Sequence, residues 1–307
     1  MEVFNIKILL LGTKGQLGSS FVYKFIENGF ENIITDKESN LCLINSSIKT
    51  ISHITPTLNI SNKEDVKNIL LKYKPNLVIN CIASTNVDQI ENNPSAAIFS
   101  NIIGVQNVAN FCKELDIYQI YFSTEAAYDG RKTDKYIETD ELNPQSKYAM
   151  TKVVADEIIL NNNSNAWIFR TSWLYSIKSK SSFVTRILEK TSENLKFGVT
   201  DDIIGNPTPA WWLVQTVIGL IDQIQNLPVG LFHLCSSTAI SKYDWAKQII
   251  EDLNPNKISL IVPTKRLDYP NAHLRSPHVD LSTEKISNYL PNPIPTWYDL
   301  WKKTINQ

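Results

Sequence analysis

Lys7-Ile-Leu-Leu-Leu11-Gly12-Thr-Lys-Gly15-Gln-Leu-Gly18 decides the fold. The unbroken apolar run 8–11 reads as a buried strand, because a parallel strand covered on both faces loses the polar alternation of a half-exposed one. Three glycines then fall within seven positions, out of only 10 in 307 residues. Residues 19–28 follow with Phe21, Val22, Phe25 and Ile26 at helical spacing. Strand, glycine turn and helix in that order form the opening unit of a doubly wound sheet. Glycine permits the tight turn, brings backbone close to a pyrophosphate, and lets the helix pack near the strand. The helix start then offers unpaired N–H groups and a positive dipole end to phosphates. Asp36, after a second strand predicted at 33–35, is placed to accept hydrogen bonds from an adenosine ribose. Lys37 beside it suits a 2′-phosphate instead, so both NAD and NADP stay open.

Working outward, short apolar strands alternate with helical stretches, the pattern of an α/β, Rossmann-like parallel sheet. Helices are expected at 63–73, 96–115 and 148–160, and strands at 77–81, 119–122 and 167–170. The segment 38–58 is Ser/Asn-rich and poorly periodic, and reads as a long loop. Residues 1–172 are expected to form a dinucleotide-binding domain, with part of 205–235 returning to it. Residues 173–307, with more aromatics and weaker alternation, are expected to form a smaller substrate-binding domain.

Composition excludes several classes. Thirty Lys+Arg balance 31 Asp+Glu, which gives no global sign of a nucleic-acid-binding face. No apolar run is long enough to span a bilayer, and no secretory signal is evident. The four cysteines are widely separated, as in a reducing cytoplasm. The four histidines form no close ligand set, so no metal is expected. Cys81 has no activating histidine and reads as a packing residue.

Tyr148-Ala-Met-Thr-Lys152 carries the second chemical signal. The same spacing occurs at Tyr128/Lys132, Tyr243/Lys247 and Tyr298/Lys302, so context decides. Tyr148 and Lys152 share one face of a predicted helix, after Ser123 and Thr124 at a strand end. Tyr128/Lys132 spans Gly130 in a turn, and the other two pairs lie in the tail.

Together with Asn80-Cys-Ile-Ala83, Asn101-Ile-Ile-Gly104 and Ser123-Thr-Glu-Ala-Ala-Tyr-Asp-Gly130, these motifs resemble an extended short-chain dehydrogenase/reductase. More narrowly, the chain resembles the dTDP-4-dehydrorhamnose reductase family. The stretches that carry this run in order across the chain: Thr85-Asn-Val-Asp88, Glu138-Thr-Asp140, Phe169-Arg-Thr-Ser-Trp-Leu-Tyr175, Asp202-Ile-Ile-Gly-Asn-Pro-Thr208, Gly230-Leu-Phe-His233 and Leu281-Ser-Thr-Glu-Lys285.

The resemblance implies NAD(P)H-dependent reduction of the 4-keto group of a nucleotide-linked deoxysugar, dTDP-4-dehydro-L-rhamnose first among them, in polysaccharide biosynthesis. It implies Tyr148 as proton donor, Lys152 as the cation that lowers the phenol's pKa and binds the nicotinamide ribose, and Thr124 as the group orienting the substrate carbonyl. Cofactor contacts are implied at Gly12, Lys14, Gly15, Gln16, Leu17, Asp36, Asn59, Ile60, Cys81, Ala83, Asn101, Ser123, Tyr148 and Lys152. Substrate contacts are implied at Thr124, Tyr148, Trp173 and Arg275. A homodimer, with neither nucleic acid nor membrane as partner, completes the expectation.

Departures from the family pattern concentrate on the substrate side. Thr124-Glu125-Ala126 stands where the family has Thr-Asp-Tyr, and Tyr128 is the nearest aromatic to fill the space. Cys81 and Ser84 replace Ala and His, and Ile203 replaces Gln. Two other functions stay open at this stage: an epimerase or dehydratase that retains NAD, and a non-catalytic dinucleotide-binding regulatory subunit.

Overall fold

The computed structural model describes residues 6–33, 40–54, 57–163, 165–179 and 182–306. Asp36 and Lys37 lie outside the described residues. The chain divides into two compact units. One comprises Met1–Ser123, Lys147–Arg170 and Val214–Phe232; the other comprises Thr124–Ser146, Thr171–Leu213 and His233–Gln307.

The first unit is organised around an eight-stranded sheet. Its strands are β1 (Lys7–Leu11), β2 (Glu31–Ile33), β3 (Leu41–Asn45), β4 (Thr50–His53), β5 (Leu77–Asn80), β6 (Tyr118–Thr124), β7 (Ala166–Thr171) and β8 (Gly230–His233), in spatial order β8-β7-β6-β5-β1-β3-β4-β2. β1 runs parallel to β5, with Ile8 opposite Leu77, and β5 runs parallel to β6, with Asn80 opposite Tyr121. Helices α1 (Gln16–Glu27), α2 (Lys63–Tyr73), α3 (Gly104–Glu114) and α4 (Lys147–Asn162) accompany the sheet.

Apolar periodicity sets the packing of these helices. α1 buries Leu17, Phe21 and Phe25, spaced four apart on one face. Leu9, Leu11 and Val78 form one core with Val66 and Leu70 of α2 and with Val108 and Phe111 of α3. A second core joins Tyr121 and Ile168 to Val105, Ala109, Ala155 and Ile159. α2 starts where the Asn62 side chain accepts from the amides of Glu64 and Asp65 and stops at Lys74, in the left-handed region before Pro75. The helix expected over 96–115 is not continuous: Ser95–Ala97 passes through a π-helical turn, Ile98–Ile103, into α3. Such turns widen a helix by one residue and occur often at functional sites.

The segment 38–58 departs from the expected loop. Its described residues hold β3 and β4, an antiparallel hairpin set between β1 and β2. Leu41, Cys42, Ile44 and Ile51 are each 0% exposed. Ser46 and Ser47 lie in the turn and Asn45 and Ser52 in the strands, while four buried apolar residues suffice to place both strands in the sheet. β3 is antiparallel to β1, and β4 is parallel to β2.

The second unit holds three two-stranded pairs: Leu174–Tyr175 with Thr208–Pro209, Ile204–Gly205 with Ile240–Ser241, and Phe197–Thr200 with Ile261–Thr264. Its aromatic core centres on Trp245, stacked on Phe183 at 4.6 Å and on Trp173 at 5.9 Å between ring centroids. Among the described residues no helix is long and apolar enough to cross a membrane.

Candidate active site

The glycine turn is built by close approach. Gly12 has φ +84°, and a Cβ there would sit 2.9 Å from the Cys81 carbonyl carbon. A Cβ on Gly18 would fall 2.1 Å from the Gly12 carbonyl oxygen, so only glycine lets α1 begin this close to the turn. Gly15 caps α1 in extended conformation, with no side-chain cap and no acidic residue in the first turn. Its own Cβ would meet nothing closer than 3.4 Å. A helix start with no side-chain cap, reached through a turn with glycine at 12, 15 and 18, fits a dinucleotide pyrophosphate. Thr13 and Leu17 are buried in this turn, Gln16 is half-buried, and Lys14 is exposed.

Asn40 holds the other side of the turn. Its carbonyl accepts from the amides of Gly12 at 2.7 Å and Thr13 at 3.1 Å. Its side chain pairs with both the N–H and the C=O of Leu58, at 2.9 Å each. The turn is thereby tied to the segment bearing Asn59 and Ile60. Asn59 is exposed, and Ile60 packs against Gly104.

Beyond β5, Cys81, Ala83 and Ser84 are half-buried. Burial pushes the Cys81 thiol far above its ordinary pKa, so it stays protonated. Asn80 is 1% exposed, and its Nδ2 has no hydrogen-bond partner among the described residues, a buried donor left over beside this segment. Asn101, in the π-helical turn, is fully buried. Its Oδ1 accepts from the Ser84 amide at 2.8 Å, and its Nδ2 donates to the Ser84 carbonyl and to Thr151 Oγ1. It thus ties the segment after β5 to the residue preceding Lys152.

β6 and α4 bring the charged groups together. Lys152 is 3% exposed and donates to the Phe122 carbonyl at 2.7 Å and to the Tyr121 hydroxyl at 2.5 Å. Burial lowers its pKa to about 8, against the pull of Asp156. Tyr148, half-buried, lies one helical turn earlier. Asp156, one turn later, accepts from Ser123 Oγ at 2.8 Å and from Arg170 Nη2 at 2.8 Å. Ser123 is therefore engaged with Asp156.

In the second unit, Thr124 Oγ1 accepts from the Ala126 amide and donates to Glu125 Oε2 at 3.0 Å, capping a single 3-10 turn. Burial raises the Glu125 carboxyl above its ordinary pKa. Tyr128 does not fill the space left at Ala126. It is fully buried, stacked on Tyr136 at 4.4 Å and joined to the Ile137 carbonyl and to His233 Nε2. The small Glu125–Ala127 turn directs the chain so that this ring enters the core. His233 is fully buried, its other ring nitrogen 3.1 Å from the Ser282 carbonyl.

Trp173 adopts φ +40°, a strained setting for an aromatic residue, with Gly205 against its ring. Lys242 Nζ lies 5.3 Å from that ring's centroid. Burial lowers Lys242 to about 8, and the charges of Arg275 and Arg186 push the same way. Trp173 and Arg275 are among the residues the sequence places on the substrate side, and Lys242 is not. A lysine opening a helix, against the positive dipole end, is the signal that points to it.

Residues 6–307 match the profile of the RmlD substrate binding domain family. The chain belongs to that family. Its similarity to named RmlD relatives extends over nearly the full length. A dTDP-4-dehydrorhamnose reductase of Aggregatibacter actinomycetemcomitans is 29% identical over 287 residues, 91% of this chain and 92% of that protein. The crystal structure of a dTDP-4-dehydrorhamnose reductase from Clostridium acetobutylicum aligns with TM-score 0.80 at 26% identity, covering 97% and 98% of the two chains. The Bacillus anthracis enzyme, solved in complex with NADP, shares the fold at TM-score 0.79 and 22% identity, covering 97% of each chain.

Proposed function

We propose that this protein is an NADPH- or NADH-dependent reductase of a 4-keto nucleotide deoxysugar, with dTDP-4-dehydro-L-rhamnose as substrate. The observation that carries the reading is Lys152: a buried lysine one helical turn from Tyr148, in a chain of the RmlD family. The reduced nicotinamide, when bound, supplies the hydride. Tyr148 donates a proton to the keto oxygen, and Thr124 orients that oxygen by hydrogen bonding. A phenol is a poor acid at neutral pH, and a nearby ammonium lowers its pKa into a useful range. The Gly12, Gly15 and Gly18 turn holds the pyrophosphate, and the first unit serves as the dinucleotide-binding domain. Trp173 and Arg275 in the second unit face the sugar nucleotide, with Arg275 suited to its diphosphate. Four free cysteines agree with a reducing cytoplasm.

The test is oxidation of NADPH or NADH by the purified protein on addition of dTDP-4-dehydro-L-rhamnose. Tyr148→Phe should lower kcat by about 10²–10⁴-fold, the usual contribution of a positioned acid. Full activity in that variant would remove Tyr148 from the proton transfer.

A further inference from the structure

Tyr121 sits on β6 opposite Asn80, 1% exposed, and no motif in the sequence singles it out. It meets the Lys152 ammonium in two ways. Its hydroxyl oxygen accepts from Nζ at 2.5 Å, and its ring centroid lies 4.0 Å from the same nitrogen. The Phe122 carbonyl takes a second proton at 2.7 Å. An ammonium has three protons to place, so β6 alone holds two. A buried lysine sheds its charge unless such partners hold it.

The groups around Lys152 differ in what they offer. On its own helix are Tyr148 and Asp156; from the segment after β5 comes Cys81, and from β6 comes Tyr121. The Cys81 thiol stays protonated and carries no charge. Asp156 divides its pull between Lys152, Arg170 and Ser123. Burial, with the charges of Asp156 and Tyr148, raises the Tyr121 phenol well above its ordinary value. Its oxygen is therefore a neutral acceptor across the working pH range.

We propose that Tyr121 is a positioning residue for the reduction: its phenol oxygen keeps Lys152 protonated and fixed on β6. This rests on the reductase reading. It assigns a role to a strand residue that touches neither substrate nor cofactor in that reading.

Tyr121→Phe keeps the ring face and removes the oxygen. In protein labelled at lysine, the Lys152 ε-carbon signal, assigned by its loss in Lys152→Met, should titrate near 8 in the unaltered chain. In Tyr121→Phe the midpoint should fall by about one pH unit, the size of a lost charge-assisted hydrogen bond. Losing an acceptor of the charged form disfavours that form, so the shift is downward. The alkaline limb of kcat/KM should move with it, giving about a tenfold lower rate well above the midpoint. Tyr121→Leu, which removes the same oxygen, should move both the same way.

A folded Tyr121→Phe protein with an unmoved midpoint overturns the proposal. So does an unmoved midpoint in a folded Tyr121→Leu protein. No turnover of any 4-keto nucleotide sugar by the unaltered protein, with the Lys152 shift still present, overturns the reductase reading instead.

Discussion

The two sides of β1 serve the same glycine turn by different means. On one side β5 and β6 continue the sheet in parallel, and the helix after β6 carries Tyr148, Lys152 and Asp156. On the other side an antiparallel hairpin intervenes, and β2 lies three strands from β1. At ~4.8 Å per strand spacing that is about 14 Å. The neighbour that meets the turn there is Asn40, through its carbonyl, while its side-chain amide holds Leu58. The first side is built from side chains to which the proposed reduction assigns chemistry. The second is built from a backbone carbonyl that any sequence supplies, held in place by the Asn40 side chain.

The sharpest way to break the first side is at its buried ion pair. Arg170 and Asp156 are each 1% exposed and 2.8 Å apart. Arg170→Met removes one partner and leaves a carboxylate in the core, which should cost about 3–5 kcal/mol in chemical denaturation. Burial raises the Asp156 carboxyl above its ordinary value even with Arg170 beside it, and the variant loses the group that lowers it. A group whose folded pKa is raised contributes most when protonated, and that contribution fades as pH rises through the folded value. The gap between variant and unaltered protein should therefore widen as pH rises from acid towards neutral. A gap that narrows over that range would mean the pair is not what holds β7 to α4.

The second side should give a smaller effect with a different signature. Asn40→Ala strands the N–H and C=O of Leu58, and partly buried groups of this kind cost about 1–2 kcal/mol. The Gly12 and Thr13 amides keep their carbonyl partner, since it is backbone. The variant should fold, melt earlier, and bind NADPH several-fold more weakly by fluorescence titration. Equal NADPH affinity would show that the turn holds its shape without the clamp.

This contrast also explains how far the sequence could be read. β1, α1, α2 and α4 were legible because periodicity and glycine spacing report directly on burial and turn geometry. Tyr148 and Lys152 stood out once their helix and the preceding strand end were placed. Tyr121 was invisible, because a tyrosine in a buried strand reads as packing until its hydroxyl has a partner. Asn40 was hidden for a related reason, since its main contact to the turn uses a carbonyl that every residue possesses. The hairpin was missed because composition averaged its polar turn with its buried strands. Tyr128 was misplaced because sequence order brings it near Ala126, whereas the 3-10 turn sends its ring into a core with Tyr136 and His233.

The smallest effects compare the rigidity of the two sides. Lys49, in the hairpin turn, and Lys74, ending α2 next to β5, both hold left-handed backbone, at φ 48° and 46°. A non-glycine residue there is strained by roughly 1–2 kcal/mol. Glycine relieves that strain but returns about 0.5–1 kcal/mol through greater freedom of the unfolded chain. Lys49→Gly and Lys74→Gly should therefore each stabilise by about 0.5 kcal/mol, read from denaturant midpoints at unchanged slope. The Lys49 carbonyl still accepts from the Glu31 amide in the variant, so the tie between the turn and β2 persists. A gain at Lys74 with none at Lys49 would mean that the hairpin turn already relaxes away from its strained conformation. The β3–β4 side would then hold the glycine turn through Asn40 more than through its own stiffness.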